Sequence, residues 1–433
     1  MCAVAHPRDR ERFDMPRPSS SAAAPARPSL AARAPLLVVL CGCMIAMLTF
    51  GPRASSGIFL LPMTGEFGWG RDTFGLAIAI QNLLWGVGTP FAGAIADRFG
   101  VMRVLCVGAA LYALGLVLMA YASTPSLLFM SAGGLVGFGL SGCSFNIVLA
   151  AFGKMLPERW RPMAFGAGTA AGSFGQFLFP PLAAGLNASI GWHETLVIFG
   201  VVMLLVMPFS LALANAPARP KAGEERPQSI GAALSEAFRH RSYVLLVLGF
   251  FTCGFQLAFV TTHLPAYLND RGLSIAIGGW TLAAIGLANM VGSLGSGWLS
   301  SRMPRRYLLA AIYFARGVAI AVFVLLPASP VVSIGFGIVL GLLWLSTVPP
   351  TSGLVMLMFG TRYLAMLYGF AFFSHQVGGF LGVWLGGLLY EKLGSYDLVW
   401  WLSVALSFAS AAINLPIVER PVERPVDRAA QPA

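Results

Sequence analysis

The sequence predicts an all-α integral membrane protein: twelve transmembrane helices arranged as two pseudo-symmetric six-helix bundles. Three observations carry this. The apolar residues fall into runs of about 20, the length that crosses a hydrocarbon core of about 30 Å as helix. Charged residues make up only 10% of a chain that is 57% hydrophobic, whereas an ordinary soluble domain carries about 25% charge. Two loops of the first half are also answered by two loops of the second at nearly constant spacing. The 50 glycines would weaken soluble helices, but in a membrane small residues let backbones pack closely.

The elements follow in order. Met1–Ala34, rich in Arg, Pro, Ser and Ala (PRPSSSAAAPARPS), buries little and is expected to be a disordered cytoplasmic tail; Met15 is a second candidate start within it. The first bundle, 35–213, holds the spans Pro35–Leu60, Thr73–Ile95, Val101–Tyr121, Leu127–Phe152, Met163–Ala188 and His193–Leu213. Residues 214–242, including NAPARPKAGEERPQSIGAALS, form a polar cytoplasmic linker. The second bundle, 243–418, holds Tyr243–Ala266, Ile277–Ser300, Tyr307–Leu326, Val331–Leu357, Leu364–Leu389 and Leu398–Val418, and a cytoplasmic tail, 419–433, follows. Several spans exceed the minimum, which tilt or a broken helix accommodates. Pro35–Phe50 resembles the apolar core of a signal peptide, but eleven spans follow it and no clean cleavage site appears.

Basic residues set the orientation. Of the 28 Lys and Arg, only Arg71, Arg271 and Lys392 fall in outside loops, and Arg53 and Arg316 lie within spans; all others lie on the side of the termini. Positive residues mark the cytoplasmic side, so both termini are expected inside the cytoplasmic membrane. The net charge of +11 then reflects topology. No stripe of Lys and Arg alternates with aromatics on a soluble face, so no nucleic-acid partner is expected. Five of the six cysteines (Cys41, Cys43, Cys106, Cys143, Cys253) sit in apolar spans without metal-ligand spacing. No G-x-x-x-x-G-K-[ST] and no HExxH occurs. No metal, cofactor or enzymatic cluster is expected.

GAIADRFG at 93–100 answers GWLSSRMP at 297–304, with Arg302 lying 204 positions after Arg98. MLPERWRPMAFG at 155–166 answers MFGTRYLAMLYG at 358–369, with Arg362 lying 203 positions after Arg159. Such duplication is common in secondary transporters. With Gly93, Asp97, Arg98 and Gly100 in a G-x-x-x-D-R-x-G turn, and Arg103 beyond it, residues 36–418 resemble the major facilitator superfamily. The resemblance implies that this turn braces the cytoplasmic face in one state and releases it in the other. Asp97 lies near the start of the third helix, where an anion is favoured. Ser301 replaces it in the second half, which makes the brace asymmetric. FGPRASSGIFLLPMTGEFGWGR (50–71), TTHLPAYLNDRGLS (261–274) and GTRYLAMLYGFAFFSHQVGGFLGVWLGG (360–387) further resemble monocarboxylate-transporter-like and oxalate/formate-exchanger-like bacterial members.

Ionised side chains at mid-bilayer cost about 2.5–3.5 kcal/mol, so they normally face a cavity or a partner. Arg53 lies roughly 25 Å along the first helix at 1.5 Å per residue. Two readings stand: it snorkels outward, or it contacts an anionic substrate beside the break at Pro52, whose freed carbonyls are solvated in the cavity. The resemblance favours the second, because monocarboxylate transporters carry Pro-Lys at the matching point. Arg316 has either a structural or a substrate role; no Asp or Glu lies centrally in any span, leaving carbonyls, hydroxyls, water or substrate as partners.

In the eighth span Asn289 and Ser293 share a helix face. They stand where monocarboxylate transporters carry Asp and Arg and exchangers carry Arg, a departure that removes the charge. His375, beside Ser374 and Gln376, is either the titratable group of the pore or a packing histidine. His263 lines the outer vestibule or packs at a helix end. Gln81 and Asn82 are further cavity candidates, and GAGTAAGSFG (166–175) reads as a packing surface.

The sequence thus predicts a monomeric secondary transporter moving a small organic anion, a mono- or dicarboxylate, by alternating access. Its substrate contacts are Arg53, Asn289, Ser293, His375 and Gln376, its coupling candidates His375 and His263, and its coupling ion H+ or an exchanged anion. A carrier for a neutral solute or drug, and a non-transporting sensor with a transporter fold, are the alternatives.

Overall fold

A computed structural model describes residues 35–214, 230–360 and 364–422. The N-terminal tail, most of the linker, Arg362 and the C-terminal tail from 423 lie outside the described residues, as does the side chain of Asp97.

The long helical segments are α1 Pro35–Ile58, α2 Arg71–Phe99, α3 Val101–Ala120, α4 Pro125–Met155, α5 Arg161–Ile190 and α6 Trp192–Leu213, then α7 Arg241–Asp270, α8 Ile275–Ser300, α9 Arg305–Leu325, α10 Pro330–Phe359, α11 Leu364–Leu393 and α12 Asp397–Asn414. Among the described residues, 11 helices are long and apolar enough to cross a membrane. The remaining one, α5, has 30 residues, about 45 Å of helix, but glycine, alanine and polar side chains dilute its hydropathy. Large apolar side chains such as Leu40, Phe91, Val107, Val291 and Val331 are exposed on the outer faces, where lipid would solvate them. One apolar core gathers α1–α6 with Ala258 and Ala266 of α7 and Val383 of α11, and a second lies within the later helices. The expected linker contains a short helix, Ile230–Arg239.

Helix starts follow local chemistry. Thr124 and Ser329 accept the amides of Leu127 and Val332, each just before a proline at the first helical position, where its missing N–H costs nothing. Gly100, at φ 93°, turns the chain from α2 into α3 through a conformation that side chains disfavour.

Two helices break midway, at positions about 203 apart. α4 is interrupted at Cys143–Ser144 and α10 between Leu343 and Val348. In hydrocarbon the freed backbone groups need partners. At α10, Arg316 supplies them: one guanidinium nitrogen donates to the carbonyls of Leu343 and Trp344 (2.9 Å to Trp344), and another to Gln256 Oε1 at 3.2 Å. The Leu345 amide donates to Asn289 Oδ1 at 3.0 Å, and the Ser296 hydroxyl donates to the Ser346 carbonyl. A cation at the end of a helical segment also meets the favourable end of its dipole. Arg316 is fully buried, and its Nη nitrogens are engaged by protein acceptors while its Nε has none among the described residues. Near Pro52 in α1, Ser55 donates its hydroxyl to the Gly51 carbonyl at 3.2 Å, and the Tyr112 hydroxyl reaches the Thr49 carbonyl at 3.5 Å.

Among the described residues, the glycines that would meet the opposite half lie toward one end and at mid-depth. A Cβ on Gly75, Gly86, Gly279, Gly286 or Gly387 would meet the opposite half, whereas one on Gly93, Gly166, Gly295, Gly297 or Gly369 would meet nothing within 4 Å. The first set lies toward the Arg71 end and mid-depth, the second toward the Arg98 and Arg302 end. The molecule is therefore closed at the Arg71 end and parted at the other.

Arg316→Leu should lower stability by about 2–4 kcal/mol, because it strands buried acceptors. Thermal unfolding of purified protein in detergent measures this, and an unchanged midpoint would show that the α10 carbonyls find other donors.

Candidate functional site

Arg53 ends the first helical stretch of α1, one residue after the proline. Its Nη2 donates to Asn82 Oδ1 at 2.6 Å, and its guanidinium carbon lies 4.7 Å from the centre of the Trp85 ring. Its Nε is buried without an acceptor. Residues 82 and 85 are neighbours on one face of α2, three positions apart.

Asn82 is itself held. Its amide nitrogen donates to the Ile78 carbonyl at 2.8 Å, and its backbone carbonyl accepts from Gln376 Nε2 at 3.1 Å. Gln376 Oε1 lies 3.0 Å from His375 Nδ1. A polar chain thus runs from α1 through α2 to α11: Arg53, Asn82, Gln376, His375. Around it stand rings from five helices. Trp85 meets Phe50 at 6.5 Å and Phe372 at 5.4 Å, edge to face, and Phe50 meets Phe145 at 6.3 Å. His375 stacks on Phe372 and lies 5.1 Å from Phe250. None of these contacts brings a carboxylate to Arg53. Its positive charge faces an amide oxygen and a π-face, in surroundings where a missing counter-charge is felt strongly.

The structure joins Arg53, His375 and Gln376 from the predicted set and adds Asn82. Asn289 and Ser293 lie elsewhere. Asn289 is fully buried, donating to Ser173 Oγ at 3.0 Å while accepting from Leu345, and the Ser293 hydroxyl bonds back to the Asn289 carbonyl. Both ends of the Asn289 amide are thus engaged, which differs from an amide free to meet substrate.

His263 belongs to the closed end. It is fully buried, with Nδ1 3.1 Å from the Tyr396 hydroxyl and Nε2 2.9 Å from the Val383 carbonyl. Arg71 is the centre of that end. Expected in a loop, it is the first residue of α2. Its guanidinium grips Asp270 through two bonds of 2.6 and 2.7 Å, reaches the Tyr396 hydroxyl at 3.2 Å, and lies 3.8 Å over Tyr390. Its amide donates to Glu391 at 2.7 Å. Such bidentate charge-assisted pairs are directional and strong for their size. Glycine backs the clasp, since a Cβ on Gly387 would strike the Arg71 carbonyl.

Toward the other end Arg98 lies over Phe99 and Arg302 over Trp298, and Arg103 is exposed. The backbone of Asp97 is in the last turn of α2, four residues before α3 begins.

Sequence reasoning missed Trp85, Arg71 and Asp270. Trp85 was findable as the aromatic three residues from Asn82. The repeat also carries a signal: Gln256 lies 203 positions after Arg53 and Arg316 lies 204 after Tyr112.

Asp270→Asn should loosen the closed end. Hydrogen–deuterium exchange at 71–80 and 383–391 should quicken relative to the parent protein, and exchange identical to the parent would show that the glycine contacts alone hold that end.

The chain matches the Major Facilitator Superfamily over residues 38–383. It is 27% identical over 370 residues to the uncharacterized MFS-type transporter YcxA of Bacillus subtilis, covering 84% of this chain and 90% of that protein. It is 26% identical over 400 residues to monocarboxylate transporter 13 of Rattus norvegicus, covering 88% of each. Among solved structures, a bacterial homolog of the human lysosomal transporter Spinster superposes with a TM-score of 0.71 at 16% identity, covering 90% of this chain and 97% of that one. The D-xylose-proton symporter follows at 0.68 and 13%, covering 88% and 97%. The chain belongs to the Major Facilitator Superfamily, and it is a membrane transporter rather than an enzyme.

Proposed function

We propose that this protein is a secondary active transporter that carries a small organic anion, a mono- or dicarboxylate, across the cytoplasmic membrane by alternating access. The observation behind the substrate class is Arg53, a permanent cation beside Pro52 with no carboxylate partner among its contacts. A planar guanidinium fork suits a carboxylate. The relatives named monocarboxylate transporters support the same class.

The cycle follows from two arrangements of rigid halves. In this reading twelve spans form two six-helix bundles, with both termini cytoplasmic. The clasp of Arg71, Asp270 and Glu391 then closes the outer face, while the parted inner ends release substrate inward. Rocking the halves the other way opens the clasp and brings the GAIADRFG turn, with Asp97, against the second half as the inner brace. Since Asn289 and Ser293 carry no charge and arginine keeps its proton, coupling to a proton falls to His375 or His263; exchange of one anion for another needs neither.

Proteoliposome uptake of labelled carboxylates, with and without a pH gradient, tests the proposal. Arg53→Ala should weaken binding of the transported anion about ten- to a hundred-fold, from the loss of a charge-assisted bond of about 1.5–3 kcal/mol. Arg53→Lys should keep part of that affinity. Unchanged affinity of folded Arg53→Ala protein for every transported anion would reduce Arg53 to a snorkelling residue. For topology, a single cysteine at Ser126 should react with membrane-impermeant reagent from outside; reaction only from the cytoplasm would invert the orientation.

A further inference from the structure

We infer that the Arg53 site takes a monocarboxylate with a flat aromatic body, and that Trp85 donates a hydrogen bond to the carboxylate beside Arg53. This rests on the organic-anion reading above and narrows its substrate class.

Two unsatisfied donors begin the case. Arg53 Nε and Trp85 Nε1 are both buried without an acceptor, and Trp85 is only 7% exposed. They belong to one contact, the guanidinium lying over the indole. A buried donor left unpaired carries a real free-energy cost, and, of the eleven buried polar atoms without a partner among the described residues, these two share one contact. Asn82 occupies only Nη2. A carboxylate has two oxygens and about four lone-pair positions, enough to serve both remaining donors.

The walls describe the rest of the ligand. Phe50, Phe145 and Phe372 are partly exposed and come from α1, α4 and α11, with Trp85 completing the set from α2. Aromatic rings favour other rings through offset or edge-to-face contact. Phe372 is already stacked against His375, which fixes its plane.

Charge limits the ligand to one carboxylate. Arg53 is the cation in this cluster, and Arg316 is committed to the carbonyls of α10. A second carboxylate would enter low-dielectric surroundings without a fixed counter-charge, which is costly.

Equilibrium binding of benzoate, acetate and succinate to purified protein tests the inference. Benzoate should bind about ten times more tightly than either competitor, the scale of a few ring contacts. Trp85→Phe keeps the ring under Arg53 but removes the N–H; with an unfolding midpoint near the parent's, it should lose about tenfold in benzoate affinity. Phe372→Leu should weaken benzoate and leave acetate within about twofold. Parental benzoate affinity in Trp85→Phe, or succinate binding as tightly as benzoate, overturns the inference. Acetate bound as tightly as benzoate overturns it while leaving the organic-anion reading in place. If the folded parent binds none of the three acids, that broader reading falls as well.

Discussion

A backbone amide or carbonyl in hydrocarbon has no water to turn to, and the architecture here depends on meeting that requirement. Unbroken helices meet it within themselves. Broken ones do not, and the break in α10 is tolerated because α8 and α9 bring side chains to it. Arg316 takes two carbonyls, Asn289 takes the Leu345 amide, and Ser296 takes the Ser346 carbonyl. The corresponding break in α4 is served mostly from its own chain, the Cys143 amide bonding the Gly139 carbonyl. One repeat therefore uses its arginine to stabilise a helix break, and the other leaves an arginine facing the interior.

That difference links the site to the motion. Asn82 receives Arg53 through its side chain and Gln376 through its backbone, so a single residue touches both the cation and the opposite half. Above it, glycines bring α2 and α11 into backbone contact; one turn below it Gly86 still lies against Gln376 and Phe373, and by Gly93 and Gly369 the contact is gone. The polar chain lies within the closed portion of the interface, about one turn from where it ends.

Much of this was legible in the sequence because hydropathy and repetition are local or periodic signals. The spans, the arginine beside Pro52 and the pair His375–Gln376 needed no knowledge of packing. Arg71 was misplaced because loop and first helical turn look alike when the residues before them are Gly-Trp-Gly. Its partner Asp270 is 199 positions away, a pairing that exists only once the two halves dock. The helix face of Asn289 was visible in the sequence, but not the α10 break whose Leu345 amide it accepts. Arg316 had four classes of partner open to it, and tertiary structure selected the backbone carbonyls.

The clasp at Arg71 has one more property, its placement at the rim. Its side chains remain partly accessible, at 12% for Arg71 and 29% for Asp270, so water can take over from each partner as they separate. Accessible ion pairs contribute only about 0–1 kcal/mol, small against the roughly 5.5 kcal/mol needed to drive a two-state equilibrium from one extreme to the other. Sunk deeper, the same pair would act as a bolt, and the molecule would be a binding protein with one permanent doorway. At the rim, in the proposed cycle, it would be a latch light enough for thermal motion to lift, which is the difference between storing a solute and shuttling it.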